Sequence, residues 1–477
     1  MESMKTGLKP PTKQELETLK ERFGYDSFRV HQFESTSALK SGINIFLRKP
    51  TGGGKSLIYQ YLAAESSVLV LSPLIALMDD QVAQAKKFGI KASCMHSQQD
   101  HHERGAALES WASGEINLLF VTPERFGKEK FRKVLSERKP DFFVLDEAHC
   151  ASQWGHDFRP DYSKVGEIRD FLGKPPTLAC TATATQKTEE DVVKVLGLEI
   201  ENTERYYDSV IRENLTCHVE ACFDFEEKRK NIIELIKTSD GPLLIYFSLI
   251  KNLEQFGDYL ESIGLYYVKY HSKLPSHIRR KNQKKFIKGD CDLMLATPAF
   301  GLGVDKPDIR SVVHFELPGS VEAYVQEFGR AGRDGQNSNC HLFYSQEDIQ
   351  VQMDFIKWGH PDADTIRWVH RRICETKETG YPVNTLDELK KKMNFYNSYD
   401  FRMESAINIL IRWECLVSEK GILKEGPAPV ETVPDVAQDI SGELVKSQQM
   451  KLYELIQLIR LEGEEFKGFL REYFGES

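Results

Sequence analysis

The clearest chemistry in this chain is carried by Lys49-Pro50-Thr51-Gly52-Gly53-Gly54-Lys55-Ser56. A glycine-rich loop that ends in Gly-Lys-Ser and opens a helix is a phosphate cradle. Residues without Cβ let backbone N–H groups approach phosphate oxygens, and the helix N-terminus adds positive potential. Thr51, Gly52, Gly53 and Gly54 then form the cradle, Lys55 reaches the β and γ oxygens, and the Ser56 hydroxyl holds Mg²⁺. The strict pattern begins with glycine, where this chain has Lys49. The apolar start Leu57-Ile58-Tyr59 marks the following helix and separates the loop from an ordinary glycine-rich turn.

Two further stretches complete a phosphoryl-transfer set. Phe142-Phe143-Val144-Leu145-Asp146-Glu147 is an apolar strand that delivers two carboxylates at its carboxyl end, where α/β sheets bind ligands. Asp146 suits Mg²⁺ and Glu147 suits the attacking water. Gln326-Glu327-Phe328-Gly329-Arg330-Ala331-Gly332-Arg333 sets two arginines three apart among small residues. Phosphoryl transfer needs positive charge on the moving group, and the guanidinium fork supplies it. Gly329 and Gly332 speak against a plain helix with surface arginines, since each costs about 1 kcal/mol there. Together the three stretches describe a two-lobed nucleotide hydrolase. They do not say what it moves.

The elements that must position these residues repeat twice. Apolar strands at Ser67–Leu71, Leu118–Val121, Phe142–Leu145 and Thr177–Cys180 alternate with amphipathic helical stretches. So do strands at Leu243–Phe247, Tyr266–Tyr270, Leu293–Ala296 and Ser311–Phe315. Strand, loop and helix in repetition predict helix-covered parallel sheets, hence two α/β domains that meet near Tyr206 to Asn214. Beyond Tyr344 the pattern turns helical, with Thr365–Thr376, Thr385–Lys392 and Arg402–Trp413 followed by a hairpin at Cys415–Ile422, as in a winged-helix module. Residues 425–441 carry Pro427, Pro429 and Pro434 and read as a linker; 442–477 reads as a closing helical pair.

Bulk properties agree with this plan. A chain of 477 residues exceeds one compact core and suggests two to four domains. Its 40% hydrophobic and 28% charged residues are those of a soluble globular protein, and no apolar run approaches a bilayer span. Met1 to Lys13 lacks the apolar block of a secretory signal, which points to the cytoplasm and nucleoid of a bacterium or the nucleus of a eukaryote. Nine scattered cysteines without a C-x-x-C predict reduced thiols and no four-thiol zinc site. The net charge of −9 speaks weakly against nucleic acid, but a binding groove needs only local positive charge.

Taken together, the motifs resemble superfamily 2 helicases and, within them, the RecQ family, over roughly Phe23 to Tyr344. Phe23-Gly24-Tyr25, Phe28-Arg29 and Gln32 resemble the family's adenine-reading entry motif, with Gln32 as the base reader. Ser72-Pro73-Leu74-Ile75-Ala76-Leu77-Met78, Thr122-Pro123-Glu124-Arg125, Thr181-Ala182-Thr183-Ala184 and Ala296-Thr297-Pro298 onward to Pro307 resemble motifs Ia, Ib, III and V. Most discriminating is Cys150-Ala151-Ser152-Gln153-Trp154-Gly155-His156-Asp157-Phe158-Arg159-Pro160, which is similar to the family's aromatic-rich loop. In the family that loop senses single-stranded DNA and couples it to ATP hydrolysis. Trp154 and Phe158 offer stacking faces worth about 1–3 kcal/mol per base, and Arg159 offers charge.

The resemblance implies two tandem RecA-like parallel-sheet domains, residues 1–207 and 208–355. A winged-helix-like module (356–424), a linker (425–441) and a helical hairpin (442–477) follow. It implies ATP and Mg²⁺, a 3′ to 5′ motor on single-stranded and forked DNA serving repair and recombination, and no membrane partner. Lys55, Asp146, Glu147, Gln326, Arg330 and Arg333 are its catalytic set. Trp154, His156, Phe158, Arg159, Thr122, Arg125 and Thr297 are its DNA-facing and coupling residues. Lys390, Lys391 and Lys392 could touch duplex phosphates, whereas the basic run His277 to Lys288 reads mostly as a solvated helix face.

Departures from the family pattern matter too. Tyr246-Phe247-Ser248-Leu249-Ile250 lacks the Ser-Arg pair of motif IV, and Pro298 stands where the family mostly has valine. The end of the chain resembles the helix of the family's zinc-binding domain, whose first cysteine would fall near Glu465, so a zinc-free remnant is expected. Two alternatives stay open: a DNA-stimulated translocase that does not separate strands, and a non-catalytic nucleic-acid scaffold.

Overall fold

The computed structural model describes residues 10–476 except 74, 97–98, 153, 156–158, 160–161, 163, 301–305, 360, 375–385, 387, 390–401, 414, 420–421 and 431–435. Among the described residues, seven strands form the first sheet: β1 (Asn44–Arg48), β2 (Val68–Leu71), β3 (Ala92–Met95), β4 (Leu118–Val121), β5 (Phe142–Asp146), β6 (Thr177–Thr181) and β7 (Thr203–Tyr207). They run in the order β3-β4-β2-β5-β6-β1-β7, and every recorded pair is parallel.

The second sheet contains β8 (Leu215–Ala221), β9 (Leu243–Tyr246), β10 (Val268–Tyr270), β11 (Leu293–Ala296), β12 (Ser311–His314) and β13 (Ser338–Tyr344). Its order is β10-β11-β9-β12-β13-β8, again parallel throughout. Strands β1, β3, β7, β8 and β13 add to the eight read from the sequence.

Pleating explains why inner strands such as β2, β9 and β5 as far as Leu145 are unbroken apolar runs. Successive side chains alternate between the faces of a sheet, so a strand covered on both faces must be apolar at every position. In β5, Phe143 and Leu145 enter one core while Phe142 and Val144 enter the opposite one. In β9, Leu244 and Tyr246 pack on one side and Leu243 and Ile245 on the other. Each sheet thus sits between two helical layers, which makes the molecule an α/β protein with two lobes.

Beyond the lobes, helices Ala363–Cys374 and Arg402–Arg412 pack with the antiparallel pair β14 (Leu416–Glu419) and β15 (Ile422–Glu425) around Ile366, Val369, Leu410 and Leu423. Residues 390–392, and most of the helix read at Thr385–Lys392, lie outside the described residues.

The helix Val436–Leu458 starts inside the stretch read as a linker. Pro434 is the last proline in the chain, so past it no residue lacks a backbone donor and a helix can run without interruption. This helix and the next, Gly463–Tyr473, place Leu455, Leu458, Phe466 and Leu470 in the core of the second lobe. No described helix is long and apolar enough to cross a membrane.

Candidate active site

Parallel strands point their carboxyl ends the same way, so the loops that follow them share one edge. The glycine loop leaves β1 and the Asp-Glu pair ends β5, with β6 between them. Gly52 and Gly54 have φ of 79° and 87°, a region that L side chains avoid. A Cβ on Gly54 would lie 2.5 Å from Gln32 Nε2. Gln32 is 2% exposed. Its amide donates to Gly54 O at 2.9 Å and accepts from Arg29 N at 2.8 Å. Arg29 Nη1 in turn donates to Gly52 O at 3.0 Å. The segment read as base-recognising therefore also braces the phosphate loop.

Lys49, the departure from the loop pattern, is fully buried. Its ammonium donates to Val30 O at 2.8 Å and pairs with Asp208, just past the end of β7. Asp208 also pairs with His31 at 2.7 Å. The substitution thus ties the loop to the segment that leads to the second lobe.

The carboxylates sit in a low-dielectric corner. Burial, reinforced by the neighbouring Glu147 charge, pushes the Asp146 carboxyl up to about 6, while the Lys55 ammonium pulls the other way. Glu147 takes a left-handed φ of 49°, a conformation that costs a non-glycine residue of order 1–3 kcal/mol. His149 Nδ1 lies 3.4 Å from Glu147 Oε2 and 2.8 Å from Thr181 Oγ1, linking the Asp-Glu turn to the end of β6. A buried carboxyl held against ionisation by its surroundings is one that a divalent cation would relieve. Ser56 lines the same cleft, so Ser56 and Asp146 fit Mg²⁺.

The cleft has a volume of about 310 Å³ and draws on both lobes. Gln32, Thr51, Gly52, Gly54, Lys55, Ser56, Asp146 and Glu147 line it from the first lobe, and Gln326, Arg330 and Arg333 from the second. Gln326 projects from helix Val321–Phe328. Arg333 lies close enough to the phosphate loop that a Cβ on Gly52 would be 3.1 Å from its Cδ. Tyr25 and Arg29 also line the cleft. The sequence reading quoted them inside the entry motif without giving them a place in the site. The arrangement can hold a triphosphate between backbone donors and a lysine on one side and two guanidinium groups on the other.

The remaining site residues lie outside this cleft. Thr122 is buried at the start of the turn Pro123–Gly127, which carries Arg125. Thr297 follows β11 and donates its N–H to Tyr270 O at 3.1 Å. Arg159 Nη1 donates to Pro73 O at 2.9 Å. The Trp154 ring carries the Lys187 ammonium 3.3 Å from its centroid. His156 and Phe158 lie outside the described residues. Among the described residues, the one group able to gather three metal donors is Asp79, Cys94 and His96, in which the Cys94 thiol already donates to Asp79 Oδ1 at 3.4 Å.

A cleft of this kind between two parallel-sheet lobes defines a nucleotide-driven motor of the helicase class, and the family models agree. The DEAD/DEAH box helicase model matches residues 29–192, and the helicase conserved C-terminal domain model matches 227–335. The probable ATP-dependent DNA helicase RecS of Bacillus subtilis is 40% identical over 366 residues, 76% of this chain and 73% of that protein. The ATP-dependent DNA helicase RecQ of the same organism is 38% identical over 340 residues, 70% of this chain and 57% of that protein. The chain belongs to the RecQ family of ATP-dependent DNA helicases. It spans little more than half the length of that RecQ relative. A Saccharomyces cerevisiae Dbp5 structure with RNA and ADP BeF3 aligns with a TM-score of 0.57 at 17% identity, covering 71% of this chain and 90% of that one; this likeness shows the fold.

Proposed function

We propose that this chain hydrolyses ATP to step 3′ to 5′ along single-stranded DNA and separates duplex strands at forks, in the service of repair and recombination. The observation that carries the reading is the single cleft shared by Lys55, Ser56, Asp146 and Glu147 of one lobe and Gln326, Arg330 and Arg333 of the other. Lys55 and the loop amides hold the phosphates. Glu147 orients water and takes its proton, and Arg330 and Arg333 meet the charge that develops on the transferring group. When bound by Ser56 and Asp146, Mg²⁺ supplies charge neutralisation at the phosphate oxygens. Gln32 reads the adenine edge. A motor results because the two halves of the site belong to different lobes, so that each turnover draws the lobes together and releases them.

Thr122, Arg125 and Thr297 follow the carboxyl ends of β4 and β11, where they suit a strand passing across both lobes. Trp154, His156, Phe158 and Arg159 report on that strand. ATP turnover is expected to persist in zinc-chelated buffer containing Mg²⁺.

The test is ATP hydrolysis with no nucleic acid, with single-stranded DNA and with single-stranded RNA, followed by strand displacement on 3′-tailed and 5′-tailed duplexes. Stimulation by DNA over RNA and displacement only from the 3′ tail is expected. Equal stimulation by RNA overturns the substrate. Turnover without displacement restricts the protein to translocation.

A further inference from the structure

One side chain connects the aromatic loop to the helix that leads into Arg330 and Arg333, and it comes from neither. Lys451 lies on helix Val436–Leu458, whose Leu455 and Leu458 are anchored in the core of the second lobe. Its Nζ donates to Trp154 O of the first lobe at 2.6 Å and pairs with Glu322 Oε1 of the second at 2.7 Å. Glu322 stands in the first turn of helix Val321–Phe328, the helix that carries Gln326 and leads into Arg330 and Arg333. The Lys451 and Glu322 side chains are only 13% and 2% exposed, so bulk water screens the pair little.

The loop end of this connection is held locally. Ser152 Oγ donates to Asp191 Oδ2 at 2.7 Å and accepts from Trp154 N at 3.1 Å, while Lys187 covers the Trp154 ring. With the peptide braced on both sides, displacement of the Trp154 carbonyl must either drag Lys451 or break its bond. An ammonium offers three donors on one rigid centre. A carbonyl shift in one lobe is therefore felt at the base of a helix in the other.

We propose that Lys451 is a positioning residue that couples occupancy of the aromatic loop by single-stranded DNA to the placement of Arg330 and Arg333. This rests on the motor reading above. Lys451 touches neither nucleotide nor DNA in this scheme. It acts through Glu322 and the Trp154 carbonyl.

The experiment compares wild type with Lys451→Met, Lys451→Arg and the double variant Glu322→Gln/Lys451→Met, measuring kcat and KM for ATP with and without single-stranded DNA. The double variant removes the buried carboxylate charge that Lys451→Met would leave uncompensated, so a folding defect cannot imitate uncoupling. Expected are basal kcat and KM within about twofold of wild type, and stimulation by DNA reduced at least about fivefold, the lower end of typical inter-site couplings. Lys451→Arg should restore most of the stimulation. Wild-type stimulation in the folded double variant overturns the inference alone, and so does a parallel loss of basal and stimulated rates. Absence of DNA stimulation in wild type removes the motor reading and this inference with it.

Discussion

Replacing Gly54 by alanine tests whether the phosphate loop is held in shape by the segment in front of it. At φ 87° the new side chain sits in the left-handed region, which costs about 1–2 kcal/mol. Its Cβ would also lie 2.5 Å from Gln32 Nε2, so the Gln32 amide must move. That movement threatens the bonds of 2.9 Å to Gly54 O and 2.8 Å to Arg29 N, each worth about 1 kcal/mol net. The combined penalty is about 3–4 kcal/mol, and it falls on the loop conformation that binds phosphate. At about 1.4 kcal/mol per tenfold, nucleotide affinity should drop by more than about a hundredfold. Titration with a fluorescent ATP analogue reads this, with thermal unfolding as the check on the fold. Gly42→Ala is the control, because Gly42 has φ 86° but nothing within 4 Å of the added Cβ. It should lower stability by about 1–2 kcal/mol and leave nucleotide affinity unchanged. An affinity for Gly54→Ala within threefold of wild type would refute the bracing argument.

Lys55→Ala should abolish hydrolysis with the fold intact, and Glu147→Gln should bind ATP but turn it over about 10²- to 10⁴-fold more slowly; normal turnover by either purified variant removes the catalytic assignment. Burial pushes the Glu316 carboxyl up to about 7, against the hydrogen bond from Asn252. A carboxyl raised above its unfolded value favours the protonated fold, so its contribution is full below about pH 4.5 and lost as pH climbs through about 7. Up to about 3 kcal/mol should go in that window. Denaturant melts at pH 5 and pH 8 should show a flatter dependence in Glu316→Gln. The Lys228 ammonium bonds both oxygens of Asp348 at 2.7 Å with both side chains buried, so Lys228→Met should cost about 3–5 kcal/mol by stranding the carboxylate. A loss below 1 kcal/mol in urea unfolding would contradict that burial.

The sequence alone determined the class and pointed to most of the residues that line the cleft, because those signals are local. Alternation of two cores along β5 requires an unbroken apolar run, and a run such as Phe142 to Leu145 is visible in one dimension. Gly-Gly-Gly-Lys-Ser carries its own backbone requirement, and Asp146-Glu147 are neighbours in sequence as they are in space. Strands of more polar or mixed composition were harder to see. β8 and β13 mix exposed and buried positions, and β1 contains Asn44 and Arg48. The helix from Val436 was obscured by the proline-rich stretch before it.

Only the tertiary structure decided what meets across long separations. That Arg333 rests on Gly52 follows from how two separately folded sheets face each other, and no periodicity within either encodes it. Burial alone turns Lys49 from a mismatch in a motif into a tether to Asp208. Arg48 bonds the Phe474 carbonyl and the Glu476 carboxylate, joining the base of the phosphate loop to the last helix. Lys451 bridges Trp154 and Glu322. Such contacts depend on strand order and lobe packing, which bring together charges hundreds of residues apart in an environment too dry for either to stay unpaired.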